Sequence, residues 1–252
     1  FVKDPLDELE GPMPGVLHKY RSRVLVIYRG GCAINCRYCF RRHFPYQENT
    51  LTARDFDGLV SYLKAHPEVN EVILSGGDPL MADDQALSGL FVRLESVSSI
   101  HRLRIHTRLP IVIPERVTDT LCQIIAATAL PVVMVLHSNH ANEIDQSVMD
   151  AVSQLRAVCR SVLNQSVILK GINDSADVLV ALSERLFEAG IDPYYLNVLD
   201  RVSGAHHFDV SDLEVAALHQ ALLNALPGYL VPKLVREVPG IGHKVQWKGT
   251  TH

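Results

Sequence analysis

The stretch Val24-Leu25-Val26-Ile27-Tyr28-Arg29-Gly30-Gly31-Cys32-Ala33-Ile34-Asn35-Cys36-Arg37-Tyr38-Cys39 carries an apolar run through two glycines into three cysteines. The apolar run is rich in β-branched residues and reads as a strand. Working outward, similar runs fall at residues 72–75, 103–106, 132–136, 162–169 and 194–199. Successive starts lie 48, 31, 29, 30 and 32 residues apart, close to one strand-helix-strand unit each. The stretches between them show helical apolar spacing: Phe56, Leu59, Val60 and Leu63; then Leu87, Leu90, Phe91 and Leu94; then Val148, Val152, Leu155 and Val158. Thr52, Asp83 and Ser211 are suited to cap helix starts. Six such units predict a parallel sheet, either open and doubly wound or rolled into a partial barrel.

Polar groups follow each predicted strand. The cysteines follow the first, Ser75-Gly76-Gly77-Asp78-Pro79 the second, His106-Thr107-Arg108 the third and His137-Ser138-Asn139-His140 the fourth. Asn164-Gln165 lies within the fifth, and Asp200 opens the loop after the sixth. Parallel α/β folds bind ligands at the carboxyl ends of their strands, so these segments are expected to meet at one rim. Glu10-Gly11-Pro12-Met13-Pro14-Gly15 reads as a loop before the first strand, and the tail after Pro239 has no clear period.

The 252 residues carry a formal charge of −4, with 47% hydrophobic and 21% charged residues. That balance excludes disorder over most of the length, and it gives no bulk basicity for nucleic-acid binding. No apolar run reaches the ~18–20 residues of a membrane span. Five cysteines and no secretory h-region favour a reducing, cytoplasmic setting. Cys122 and Cys159 sit in helical patterns and read as core. Cys32, Cys36 and Cys39, spaced C-x3-C-x2-C, allow three readings: a [4Fe-4S] cluster with one open iron, a closed zinc site completed by His43, or buried free thiols.

This spacing after the first strand of a β/α repeat resembles the radical S-adenosylmethionine (SAM) superfamily, with Tyr38 as the aromatic residue before the last cysteine. Cys36-Arg37-Tyr38-Cys39-Phe40-Arg41-Arg42-His43-Phe44, His18-Lys19-Tyr20, Arg104-Ile105-His106-Thr107-Arg108-Leu109-Pro110, Asn139-His140-Ala141-Asn142-Glu143 and Asn164-Gln165-Ser166-Val167 are similar to the lysine 2,3-aminomutase family. Within it they most resemble the (R)-β-lysine-forming branch that serves elongation factor P, as does a tail ending eight residues after Lys244.

The resemblance implies a partial (β/α)6 TIM-like barrel at residues 23–228. An N-terminal extension (1–22) would be the remnant of a longer helical region, and 229–252 would be a C-terminal segment. It implies a [4Fe-4S] cluster on Cys32, Cys36 and Cys39, with SAM against Tyr38, Ser75, Gly76, Gly77, Asp78, His137 and Gln165. Pyridoxal 5′-phosphate (PLP) would be held by Lys19, Arg23 and the Schiff-base residue Lys244, on a flexible segment. Arg41 would grip the carboxylate of L-lysine, and Asp200 and Glu237 its side-chain ammonium. Glu237 stands where free-lysine enzymes carry Asp. The implied partners are an electron donor such as flavodoxin or ferredoxin, and a functional link to the elongation factor P lysine ligase. A free-lysine enzyme giving (S)-β-lysine, a radical SAM enzyme without PLP, and a zinc-stabilised binding module are the alternatives. His206 and His207 stand out without a role.

Overall fold

The computed structural model describes residues 1–9, 11–52 and 55–247. Glu10 and the last five residues of the expected C-terminal segment lie outside them. Among the described residues, nine strands form one sheet in chain order: β1 (Val16–Tyr20), β2 (Arg23–Arg29), β3 (Glu71–Gly76), β4 (Arg102–Thr107), β5 (Val132–Leu136), β6 (Ser161–Val167), β7 (Asp192–Asn197), β8 (Lys233–Arg236) and β9 (Val245–Gln246). β2 to β8 run parallel, and β1 and β9 pair antiparallel at the two ends. Helices α1 (Phe56–Ala65), α2 (Asp84–Glu95), the short α3 (Leu109–Val112), α4 (Asp119–Ala127), α5 (Gln146–Val158), α6 (Ala176–Glu188) and α7 (Asp212–Ala225) lie in the crossovers.

The strands alternate between two environments, as the period of two requires. Val24, Val26, Tyr28, Val72, Leu74, Leu103 and Ile105 are buried against the helices in one core cluster. Their neighbours Arg23, Leu25, Ile73, Ser75, Arg104 and His106 line a cavity instead. Residues from β1 through to the segment after β8 touch that same cavity, so the sheet curves around it as a partial barrel. Between the sheet's two ends the gap is spanned by side chains: Tyr20 Oη donates to Glu237 Oε1 at 3.0 Å, and Lys19 Nζ stands 3.9 Å from the same oxygen.

The helices dock by the predicted stripes. Leu59 and Leu63 of α1, and Leu87, Leu90 and Leu94 of α2, are fully buried. Each buried leucine contributes about 2 kcal/mol. Asp83 and Ser211 cap α2 and α7, the latter in a capping box with Glu214. Thr52 does not cap α1: the cap position is Asp55, and Thr52 donates to its carboxylate through N at 2.9 Å and Oγ1 at 2.5 Å.

All six expected strands are present, but the sheet extends beyond them. Of the expected loop at 10–15, the described part, 11–15, precedes β1, not the first parallel strand, and Gly15 turns into β1 at φ +76°. The expected strand over 162–169 ends at Val167, because Leu169 N turns to Asn173 Oδ1. The segment carrying Lys244 leads into a further strand: β9 pairs with β8 directly after it, and Trp247 N donates to Leu234 O.

Candidate functional site

The cavity encloses about 360 Å3, the size of a small-molecule site. Every residue the sequence singles out for cluster, SAM, PLP or lysine lines it. Parallel strands deliver most of them from their carboxyl ends. Lys19 and Arg23 come instead from the β1–β2 turn, where Val24 pairs with Val72, so the cavity reaches from the rim to the other end of β2.

The cysteine loop is held by backbone. Gly77 N donates to Arg29 O at 2.6 Å and Asp78 N to Gly31 O at 2.8 Å. A Cβ on Gly77 would meet Gly31 O at 2.3 Å, and Gly76, at φ +114°, would meet Arg29 O at 2.6 Å. These glycines therefore press the β3 loop against the loop that opens the thiol segment. Asp78 is similarly committed: its carboxylate accepts from Thr107 Oγ1 (2.6 Å) and from the amides of Leu80, Arg108 and Leu109 (3.0, 2.7 and 3.1 Å). Burial still holds the Asp78 carboxyl above its ordinary value.

Around the thiols the sequence reading missed Arg108 and Asn139. Arg108 Nη1 donates to Cys36 Sγ at 3.2 Å and to Tyr38 Oη at 2.6 Å, while Nη2 pairs with Glu143 at 2.5 Å. Asn139 Nδ2 donates to the same tyrosine oxygen at 2.7 Å. Both lie in loops that follow strands, Arg108 directly after β4 and Asn139 three residues beyond β5, which is the signal the sequence offers for them. His43 Nε2 stands 3.3 Å from Ser203 O. Among the described residues no set of three His, Cys, Asp or Glu converges on a single ion position. A zinc ion draws its thiolates to about 2.3 Å, whereas a cubane spreads three over separate irons. The three thiols lining one cavity, with a guanidinium on one of them, suit the cluster. His207, without a role in the sequence, stands with Nε2 3.1 Å from Arg37 Nη2 and so braces the loop.

At the centre, Gln165 Nε2 stands 2.5 Å from His137 Nε2 and 3.3 Å from His106 Nδ1. Burial lowers His106 well below the ordinary histidine range and His137 to about 3, so both are neutral. His106 Nε2 is buried without a hydrogen-bond partner.

Lys244 Nζ donates to Asn197 Oδ1 at 2.9 Å and stands 3.4 Å from Glu237 Oε2. Asn197 is itself fixed by Nδ2 on Ser166 O at 3.0 Å. Asp200 is raised to about 6, chiefly by burial and further by the Glu237 and Glu8 charges, with Lys244 opposing. Arg23 stacks 3.9 Å from the centre of the Tyr20 ring. An amine held among carbonyl and carboxylate oxygens, with Lys19 and Arg23 as separate cations, is a donor set suited to PLP. Arg41 is buried and already holds a carboxylate, that of Glu8, which the sequence gave no reason to select.

Residues 26–182 match the radical SAM superfamily. Two L-lysine 2,3-aminomutases align over nearly the whole chain. That of Haemophilus influenzae is 53% identical over 97% of this chain and 72% of its own length; that of Escherichia coli is 52% identical over 95% and 70%. The Clostridium subterminale L-lysine 2,3-aminomutase is 33% identical over 96% of this chain and 59% of its own. Among solved structures, Streptococcus suis SuiB bound to S-adenosylmethionine matches with a TM-score of 0.61 at 18% identity. That match covers 87% of this chain, which spans about half of SuiB (51%). The fold and thiol loop are thus those of a radical SAM protein, a class built on a [4Fe-4S] cluster and SAM. Within that class, the chain belongs to the L-lysine 2,3-aminomutase family.

Proposed function

We propose that the protein is a PLP-dependent L-lysine 2,3-aminomutase that makes (R)-β-lysine for the modification of elongation factor P. The observation that carries this is one cavity lined at once by three cysteines, Lys244, Arg41, Asp200 and Glu237. When bound, the cluster with SAM supplies a carbon radical that takes hydrogen from the substrate, and PLP supplies a conjugated system that stabilises radical character during nitrogen migration.

The chain's own residues do the rest. Cys32, Cys36 and Cys39 would hold the cluster, and Arg108, donating to Cys36 Sγ, would offset thiolate charge there. Tyr38, Ser75, Gly76, Gly77, Asp78, His137 and Gln165 form the SAM side, Asp78 by fixing the loops around it. The neutral histidines offer hydrogen bonds without adding charge. Lys19 and Arg23 hold the phosphate, and Lys244 on the 229–252 segment is the Schiff-base residue. Arg41 orients the carboxylate. Asp200 and Glu237 attract the distal ammonium and repel an acidic side chain. Leu6, Leu17, Leu25 and Ile73 line the same cavity and limit water.

Identity of 46–53% to the Haemophilus, Escherichia and Buchnera L-lysine 2,3-aminomutases supports the aminomutase reaction, and Glu237, standing where free-lysine enzymes carry Asp, supports the elongation factor P branch. That branch brings with it a flavodoxin- or ferredoxin-type donor, a link to the elongation factor P lysine ligase and a cytoplasmic setting. No helix among the described residues is long and apolar enough to cross a membrane. The test is anaerobic incubation with L-lysine, SAM, PLP and dithionite, then chiral mass spectrometry. (R)-β-Lysine is expected. (S)-β-Lysine would move the protein to the free-lysine enzymes, and no β-lysine from fully loaded protein would overturn the reading.

A further inference from the structure

We propose that Glu8 is a positioning residue for the substrate carboxylate: it clamps the Arg41 guanidinium by one edge and leaves an N–H on each terminal nitrogen for the amino acid. This rests on Arg41 being the residue that grips lysine. Arg41 Nε donates to Glu8 Oε2 at 2.5 Å and Nη2 to Glu8 Oε1 at 3.0 Å, a bidentate grip; Nη1 donates to Ser75 Oγ at 3.0 Å. A guanidinium has five N–H groups. Three are used, so one remains on Nη1 and one on Nη2, in a cavity that Arg41 lines.

Glu8 is placed by a built loop. The Asp4 carboxylate accepts from the amides of Glu8 and Leu9 at 2.8 and 3.2 Å, and Asp7 takes the left-handed conformation at φ 51°. Upstream, Val2 N donates to Arg201 O and Ser203 N to Val2 O. Glu8 Oε1 also accepts from Lys19 Nζ at 3.1 Å. One buried carboxylate therefore ties the carboxylate-gripping arginine to the phosphate-holding lysine, and sets the distance between the two anions they bind. Burial alone would raise the Glu8 carboxyl, but the Arg41 and Lys19 charges hold it below its ordinary value.

The test is calorimetric titration of L-lysine and L-lysinamide into protein loaded with cluster, SAM and PLP. The amide lacks the anion that Arg41 would hold. The wild type should prefer L-lysine. Glu8→Gln should weaken L-lysine by about tenfold or more and L-lysinamide by no more than about threefold. Glu8→Asp, keeping the charge, should fall between, and it carries the comparison if the glutamine variant fails to load. Arg41→Gln should erase the preference, and adding Glu8→Gln to it should change nothing further. Equal losses for both ligands would reduce Glu8 to a structural support and overturn the proposal. Tighter L-lysine binding by Glu8→Gln would make Glu8 a competitor for Arg41, and overturn it too. A wild type without preference would overturn the roles of Arg41 and Glu8 together, while β-lysine formation by that preparation reports separately on the reaction.

Discussion

Asp200→Asn should make the ligand-free protein more stable while costing it lysine. Asp200 has a carboxyl raised from 3.8 to about 6, chiefly by burial. A group that binds its proton more tightly when folded stabilises the fold below its folded value and loses that contribution as pH rises through it. Keeping the carboxyl ionised at neutral pH therefore costs about 3 kcal/mol. A neutral amide removes that cost, in which the Lys244 attraction is already counted, but must itself be buried, so the net gain should be about 1–2 kcal/mol, or a few degrees in Tm for a chain of this size. Thermal unfolding of the ligand-free protein should show the gain at pH 7.5 and a much smaller one at pH 5, where wild-type Asp200 is already protonated. L-Lysine titration of the loaded protein should show a loss of about tenfold to a hundredfold, because the ammonium keeps Glu237 but loses its second carboxylate. SAM affinity should stay unchanged. An Asn variant less stable than wild type at pH 7.5, or a gap that does not narrow at pH 5, would refute the reasoning.

Asp78→Asn should cost about 2–4 kcal/mol, because an amide nitrogen would face donors now received by a carboxylate oxygen; denaturant unfolding measures it, and iron content after reconstitution should fall with it. Lys244→Ala should abolish the Schiff-base absorption while leaving the iron–sulfur chromophore, whereas Cys36→Ala should remove that chromophore; full activity with PLP in the lysine variant would end its assignment. L-Lysine affinity should rise about tenfold per pH unit from 5 toward 6 and then level off, as Asp200 gives up its proton on meeting the ammonium; a flat profile would remove Asp200 from the ammonium site.

Much of this was legible in the chain, and the parts that were not share a cause. Strands with helices on one face and the cavity on the other leave short apolar runs or, as in Arg102–Thr107, alternation, and all six were readable. β1, β8 and β9 were not. They are five, four and two residues long, and in Val16–Tyr20 two of the five, Lys19 and Tyr20, meet polar partners across the gap. The thiols could be read because they cluster in sequence. Glu8 could not: its value comes from meeting Arg41 across 33 residues of chain, and no local pattern marks such a meeting. Asp78 was legible as part of a motif, but its commitment to the β4 loop depends on neighbours that only the sheet order brings together.

The side-chain bridge from Tyr20 and Lys19 to Glu237 orders events in the making of the protein. During synthesis the thiol loop leaves the ribosome about 200 residues before Lys244 does. Until then Tyr20 and Lys19 have no Glu237 to meet, and the barrel interior is open along that whole side. The seam is thus the last side of the barrel that can close.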